Sequence, residues 1–454
     1  MKPIHIAGTK GKGSTSAFIS SILAQYLPSS PEDSSCKLHK IGLYTSPHLR
    51  FVRERIQLNN EPLSESAFAK YFFEIWAKLE AAARAEGLPV DAPGSKPVYF
   101  RFLTLMALHA YLQEGVDTAV IECGIGGEYD STNILVSPTA TAITSLGIDH
   151  VAMLGSTLPE IAWHKAGIFK PGAAAFTAPQ PDAAMAVLRD RAAEKDVRLT
   201  VVERHPDLDT LHLGLSADFQ KTNASVAIAV AAAHLRALGH TDGIPDPARS
   251  HASPLPPQFR RGLEQVRWPG RCEVRREAHP SIAWHIDGGH TLDSIEVAGR
   301  WFAEQIAAAG STKNPRPRIL LFNQQTRDAS ALSRALHATL AAALGSERPF
   351  THAVFCTNVT FAQGGYKPDL VSVNANAADV DSLAVQRGLA ETWAEIDPRT
   401  EIKVLRTVEE AVGWCREVAG SVEGEGREEV MVLVTGSLHL VGGALEVLES
   451  GRRE

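Results

Sequence analysis

Gly8-Thr9-Lys10-Gly11-Lys12-Gly13-Ser14-Thr15 stands directly behind the apolar run Pro3-Ile4-His5-Ile6-Ala7 and directly ahead of Ser16-Ala17-Phe18-Ile19-Ser20-Ser21-Ile22-Leu23. A strand, a glycine-rich turn carrying a lysine and then an amphipathic helix is the layout of a phosphate-binding loop. The strand that enters such a loop is normally central and covered on both faces, so the chain must build an α/β sheet around its first strand. The glycines let backbone N–H groups close around a polyphosphate without a Cβ in the way. The helix behind adds its positive end at the same point. Lys12 is placed to reach the β- and γ-phosphates, and Ser14 or Thr15 to face phosphate or metal. In the common pattern the hydroxyl residue follows the lysine directly; here Gly13 separates Lys12 from Ser14, which points to a subset of nucleotide users. The alternative is a Gly/Ser-rich turn that binds nothing.

The chain has 454 residues, room for two or three domains, with 44% hydrophobic and 21% charged residues, ordinary for a globular enzyme. A net charge of −7 argues against a broad nucleic-acid-binding surface. Cys36, Cys123, Cys272, Cys356 and Cys415 are odd in number and far apart, with no C-x-x-C. They predict no disulfide framework, no zinc site and a reducing compartment. No apolar run reaches the about 18 residues of a membrane span. The first residues carry no signal or transit segment.

Apolar β-rich runs alternate with helical patterns throughout, which predicts α/β architecture with a mainly parallel sheet. Strands are expected over 3–7, 40–44, 118–122, 140–145 and 173–177, and helices over 14–26, 64–84, 100–114, 157–166, 182–195 and 218–238. Asp218 reads as the N-cap of the last helix and Gly239 as its end. The Pro-rich stretch 241–257 reads as a long linker or exposed loop. A domain boundary near Gln265 divides the chain into 1–264, the nucleotide domain, and a smaller Rossmann-like α/β domain over 265–454. In the latter, strands are expected over 282–286, 318–322, 353–356, 402–405 and 430–434, and helices near 292–309, 329–344, 380–393, 408–418 and 438–448. Inserted loops are expected over 28–40, 87–97 and 310–317, and 357–377 shows no period.

Several residues at strand ends carry candidate chemistry. Thr118-Ala119-Val120-Ile121-Glu122 is an apolar strand ending in a carboxylate. A lone strand-ending glutamate is usually solvated; behind a phosphate loop it reads as a Mg²⁺ ligand. Asp149 and His150 follow another apolar strand, where open α/β sheets collect ligands; for His150 a metal or catalytic role and a structural one both stand. His164, Lys165 and Lys170 end a helix, where complementing the helix dipole is the preferred reading for either lysine. Ser46 and His48 are polar loop residues, and Arg50, Arg53 and Arg55 either grip carboxylates or form a solvated charge run. Arg271 and Asp287 fit a phosphate and a ribose or base edge, but Asp287-Gly288-Gly289 reads more simply as a strand-to-helix turn.

Taken together, the segments His5–Thr15, Tyr44–Leu49, Tyr99–Ala107, Glu122–Gly127, Ser145–His150, Lys165–Ile168, Trp268–Arg271 and Val434–Gly443 resemble the folylpolyglutamate synthases, eukaryotic branch, of the Mur-type ligase superfamily. The resemblance implies that Gly8, Thr9, Lys10, Gly11, Lys12, Gly13 and Ser14 cradle ATP. It implies that Ser46, Glu122 and His150 hold Mg²⁺, that Lys165 is carbamylated and joins them, and that Arg271 and Asp287 contact ATP from the C-terminal domain across an interdomain cleft. Lys12, Lys165 and His150 would then be the catalytic groups, with a monovalent cation such as K⁺ as an additional cofactor. The implied reaction activates the γ-carboxylate of tetrahydrofolate, or of its polyglutamates, as an acyl phosphate that L-glutamate opens. A monomer in the cytoplasm or mitochondrion (matrix or inner-membrane associated) is expected. Two features depart from the family pattern: a few dozen residues usually precede the phosphate-loop strand, so an upstream segment is expected to be missing, and Asp287-Gly288-Gly289-His290 has glycine where alanine is usual. Dihydrofolate synthase and a truncated, inactive nucleotide-binding protein are the alternatives. A signalling GTPase is disfavoured because no Asn-Lys-x-Asp guanine-reading motif occurs.

Overall fold

The computed structural model describes residues 1–28, 38–310, 317–325, 327–362, 382–422 and 429–450. Much of the expected loops 28–40 and 310–317, most of the aperiodic stretch 357–377, the start of the expected helix 380–393 and Cys36 lie outside the described residues. The chain divides into two compact units, Met1–His48 with Arg53–Arg267, and Leu49–Val52 with Trp268–Glu454. Both are α/β, in line with the alternation of apolar strands and helices.

The first unit holds an eight-stranded sheet: β1 (Lys2–Ala7), β2 (Ile41–Tyr44), β3 (Ile56–Leu58), β4 (Glu61–Pro62), β5 (Thr118–Glu122), β6 (Ala140–Ile143), β7 (Ala174–Thr177) and β8 (Leu199–Val201), in the order β4-β3-β2-β5-β1-β6-β7-β8. From β2 to β8 in that order every neighbouring pair is parallel, and β3 and β4 add an antiparallel edge. The first strand is thus central, and Ile4, His5 and Ile6 are wholly buried. The second unit has a six-stranded sheet: β9 (Glu273–Glu277), β10 (Ile282–Ile286), β11 (Arg318–Phe322), β12 (His352–Phe355), β13 (Glu401–Val404) and β14 (Val430–Thr435), in the order β13-β12-β11-β14-β10-β9. Only β9 runs antiparallel.

Three sequence expectations need correction. The helix after the phosphate loop, α1 (Lys12–Ala24), starts two residues earlier than expected and is not amphipathic: every residue from Ser14 to Leu23 is buried. It packs against β5 and two further helices, Gln220–Ala237 and Pro257–Gln265, so it has no solvent face. Two of its serines are inside with partners: Ser20 Oγ donates to Asn60 Oδ1 and Ser21 Oγ to Gly262 O at 2.7 Å. Asp218 is not an N-cap. The helix begins at Gln220 behind Phe219, and Asp218 instead accepts from Arg204 at 2.9 Å. The Pro-rich stretch is no free linker: Pro247–Ala252 forms a 3₁₀ helix against Gln220–Ala237, and Ile244, Ser250 and Leu255 are buried. The charged residues around Phe51 are also partnered: Arg55 is buried and donates to His48 Nδ1 at 2.9 Å, Arg53 pairs with Glu65, and Arg50 pairs with Glu446 and Glu449.

His234, on the helix Gln220–Ala237, ties the amino-terminal side of this sheet together. Its ring lies 2.9 Å from Thr118 Oγ1 and 2.6 Å from Thr139 Oγ1. Burial pushes its pKa down to about 3, so it is neutral in the folded state. The unfolded chain binds a proton at this residue below about pH 6.5 and the folded chain does not, so this contribution is complete above pH 6.5 and is lost as pH falls toward 3. Each pH unit in that window removes about 1.4 kcal/mol. Urea midpoints of wild type and His234→Gln at pH 7 and pH 5 test this: the variant should lose less stability on acidification, and equal losses would refute it.

Candidate functional site

Strand register brings the candidate residues to one edge of the first sheet. Ile6 lies opposite Glu122 and Ala7 opposite Ile143, while Tyr44 lies opposite Ile121. All four strands are parallel, so Ser46, Glu122, Gly8 and Thr144, at or just past the strand ends, emerge side by side at the carboxyl edge.

The loop itself is held by the segment after β6. The N–H groups of Thr9 and Lys10 both donate to Ser145 O at 3.0 Å, Thr144 Oγ1 donates to Lys10 O at 2.6 Å, and Thr9 Oγ1 donates to Gly147 O at 3.1 Å. Lys10 pairs with Asp149 at 3.6 Å. Two glycines are required by contact. Gly8 has φ +148° and a Cβ there would stand 1.9 Å from Thr144 Oγ1; Gly11 has φ +88° and a Cβ there would stand 2.2 Å from Asn223 Oδ1. Gly11 is also the N-cap of α1, has no side chain to cap with, and no acidic residue follows in the first turn. The first N–H groups of a helix have no acceptor within it, so those of Lys12, Gly13 and Ser14 present an uncapped positive end.

Two lysines meet on one carbonyl. Lys12 Nζ donates to Gly8 O at 3.0 Å and to Thr9 O at 3.5 Å, and Lys165 Nζ donates to Gly8 O at 2.8 Å. Lys165 ends the helix Leu158–Lys165 but is only 3% exposed, so it is not a surface complement to the helix dipole. Burial first, and the neighbouring Lys12 ammonium second, push its pKa down to about 7. Glu122 is likewise only 3% exposed, and its Oε2 accepts from Ser46 N at 3.1 Å. That excludes the reading of a solvated strand-end glutamate. His150 stands on an exposed left-handed turn, φ 52°, where its N–H bonds Asp149 Oδ1 at 2.9 Å.

The residues present fit a polyphosphate with a magnesium ion. Among the described residues no three His, Cys, Asp or Glu side chains group as a metal cage. Mg²⁺ is ordinarily held by one or two carboxylates together with substrate phosphates, which needs no cage. Thr15 Oγ1 is buried without a hydrogen-bond partner among the described residues, a deficit of roughly 1–3 kcal/mol. Ser14 Oγ, by contrast, accepts from Gln220 Nε2 at 3.2 Å, and Asn223 Nδ2 donates to Gln220 Oε1 at 2.9 Å. Gln220 and Asn223 escaped the sequence reading. Their signal is two amides three residues apart at the start of an alanine-rich apolar helix.

Arg271 and Asp287 belong to the second unit. Asp287 follows β10 and is buried; Oδ2 accepts from Cys272 N at 3.0 Å and Oδ1 from Gly289 N at 2.9 Å. Burial raises its pKa despite the nearby Arg271. It fixes the 270–272 turn, in which Cys272 has φ 49°. An amide network at the ends of β11 and β12 was also missed: Asn323 Nδ2 donates to Asn358 Oδ1 and Gln386 Nε2 to Asn323 Oδ1, both at 2.8 Å.

No family model matches the chain. It is 46% identical over 448 residues to a folylpolyglutamate synthase of Neurospora crassa, covering 98% of this chain and 81% of that protein. It is 44% identical over 452 residues to one of Saccharomyces cerevisiae, covering 98% and 77%. Among solved structures, a folylpolyglutamate synthase of Mycobacterium tuberculosis complexed with ADP and AMPPCP matches with TM-score 0.70 at 24% identity, over 98% of this chain and 90% of the other. That of Thermotoga maritima matches with TM-score 0.67 at 24% identity, over 99% and 89%. With nearly half of its residues identical along almost its whole length, the chain belongs to the folylpolyglutamate synthase family.

Proposed function

We propose that this chain is an ATP-dependent carbon–nitrogen ligase that adds L-glutamate to the γ-carboxylate of tetrahydrofolate and its polyglutamates. The observation that carries this is the meeting of Lys12 and Lys165 on Gly8, next to the Ser46–Glu122 pair, at the uncapped end of α1. That is a site built for an anion and a hard cation. The family relationship supplies the substrates, and a related folylpolyglutamate synthase has been solved as a complex with AMPPCP and folate.

In this reading Gly8, Thr9, Lys10, Gly11, Lys12, Gly13 and Ser14 surround the phosphates of ATP. Ser46, Glu122, His150 and a carbamylated Lys165 would hold Mg²⁺, which would supply positive charge against the phosphoryl group. A folate γ-carboxylate oxygen attacks the γ-phosphorus and ADP leaves. The glutamate amine then adds to the acyl carbon, and phosphate departs with the amide formed. Lys12 supports the in-line transfer by lying over the phosphates. Arg271 is carried as the nucleotide contact of the second unit, with Asp287 acting through the turn it fixes. A monovalent cation such as K⁺, a monomeric state, and a cytoplasmic or mitochondrial setting complete the proposal. Among the described residues no helix is long and apolar enough to cross a membrane.

Lys165 has the electronic state that carbamylation needs. Carbon dioxide reacts with a neutral amine, and a pKa of about 7 leaves a large share of this amine neutral at physiological pH. With ¹³C-bicarbonate, a carbamate carbonyl resonance should appear in the NMR spectrum of the wild type and vanish in Lys165→Arg. A resonance that persists in the variant would assign it elsewhere.

Activity is tested with ATP, Mg²⁺ and labelled glutamate. Tetrahydrofolate should acquire label, and turnover of dihydropteroate alone would replace this reading with a dihydrofolate synthase. Lys12→Ala should lower kcat by at least about a hundredfold, the order expected for losing a transition-state charge partner, while the melting temperature holds. Wild-type kcat in that variant would remove Lys12 from the chemistry.

A further inference from the structure

His5 lies three residues ahead of Gly8 on β1, wholly buried. Its Nε2 is 2.8 Å from Thr132 Oγ1 and 3.1 Å from Cys123 Sγ. Thr132 Oγ1 also lies 2.5 Å from Asp130 Oδ1, to which it donates. A carboxylate oxygen accepts, and a hydroxyl has one proton. Thr132 therefore gives its proton to Asp130 and accepts from His5, which fixes the imidazole as the Nε2–H tautomer by the logic of the network. Burial lowers the pKa of the ring to about 3, so it is neutral.

Thr132 belongs to a loop that serves two parts of the site. The loop begins one residue after Glu122, and Asp130 holds it closed by accepting from the N–H groups of Ile125 and Thr132, both at 2.9 Å. On its other side Glu128 N donates to His164 O at 2.7 Å, next to Lys165. Asn133 Nδ2 spans Glu128 O at 3.0 Å and Gly167 O at 3.3 Å. One loop thus continues the strand that ends in Glu122 and docks on the helix end that carries Lys165. His5 bonds that loop to the strand that enters the phosphate loop.

We infer that His5 is a positioning residue: its bond to Thr132 holds the 123–133 loop, and with it Glu122 and Lys165, in place beside the phosphate loop. The inference rests on the metal-site reading of the proposed function. Groups that orient ligands from behind typically set about 10–100-fold in metal affinity.

The test is Mn²⁺ binding to the full chain with AMPPCP, read by electron paramagnetic resonance, with melting curves alongside. His5→Phe should weaken Mn²⁺ by about 10–100-fold. His5→Gln, whose side-chain N–H reaches the place of Nε2, should restore most of that loss. Thr132→Val deletes the same bond from the other side and should reproduce the phenylalanine result, so the idea stays testable if His5→Phe does not fold. Wild-type Mn²⁺ affinity in a folded His5→Phe or in Thr132→Val would overturn the inference. So would equal losses in His5→Phe and His5→Gln, since those would reflect packing alone. Glu122→Gln is the control: if it binds Mn²⁺ as the wild type does, the metal-site reading fails and takes this inference with it.

Discussion

The Gly8 carbonyl accepts from two lysines at once, Lys12 and Lys165, and the local electrostatics derive from that. One carbonyl does not balance two ammonium groups that also face the uncapped end of α1. Burial first, and this crowding by Lys12 second, bring the pKa of Lys165 down to about 7. An anion in this place would relieve it, and a polyphosphate against the loop or a carbamate on Lys165, as proposed above, would each supply negative charge. Burying a lysine with a depressed pKa weakens the fold at neutral pH, because the unfolded chain holds the proton more tightly. A leucine would fill this buried position without that penalty, so the buried lysine is an argument for chemistry.

The sheet makes this meeting possible. A phosphate loop needs its strand between two parallel neighbours, and β1 has β5 on one side and β6 on the other. Each neighbour delivers a segment at its carboxyl end: Glu122 with the 123–133 loop from β5, and Thr144, Ser145 and Asp149 from β6. The β6 segment accepts the Thr9 and Lys10 N–H groups on Ser145, so those two donors brace the loop while the donors at the start of α1 face the site. The division of labour between bracing and binding is set by register, since a shift of β6 by one residue would turn Thr144 to the other face.

How much of this was legible in the sequence depends on how local each signal is. The phosphate loop, the strand ending in Glu122 and the α/β alternation are local patterns, and the structure has them close to the expected places. The amphipathic reading of α1 fails because it assumes that serine marks solvent; here Ser20 and Ser21 are satisfied by Asn60 and Gly262, distant in sequence. The N-cap reading of Asp218 fails for a similar reason, because Arg204 competes for it. Lys165 is the sharpest case. A lysine in the last turn of a helix looks like a dipole partner, and only the burial of that helix end against the phosphate loop changes its meaning.

The same reasoning explains why the inward-facing polar residues around this edge carry more information than the exposed ones. Placing an imidazole in the middle of a central strand is unfavourable unless its donor is used, and a hydrophobic side chain would pack there without that constraint. His5 uses its Nε2–H on Thr132, and Thr132 passes its own proton to Asp130, so three side chains form one directed chain of hydrogen bonds. Gln220 and Asn223 form a second such chain that ends on Ser14 of the phosphate loop. Both chains begin in a neighbouring element and end on a segment that touches the candidate site. The neutral hydrogen bonds among these each contribute only about 1 kcal/mol to stability, and the one onto the Asp130 carboxylate about 1.5–3 kcal/mol. Their larger effect is geometric, because a hydrogen bond fixes distance and direction where apolar packing tolerates sliding. A site that must align a carboxylate, an amine and a phosphate gains more from direction than from additional apolar burial.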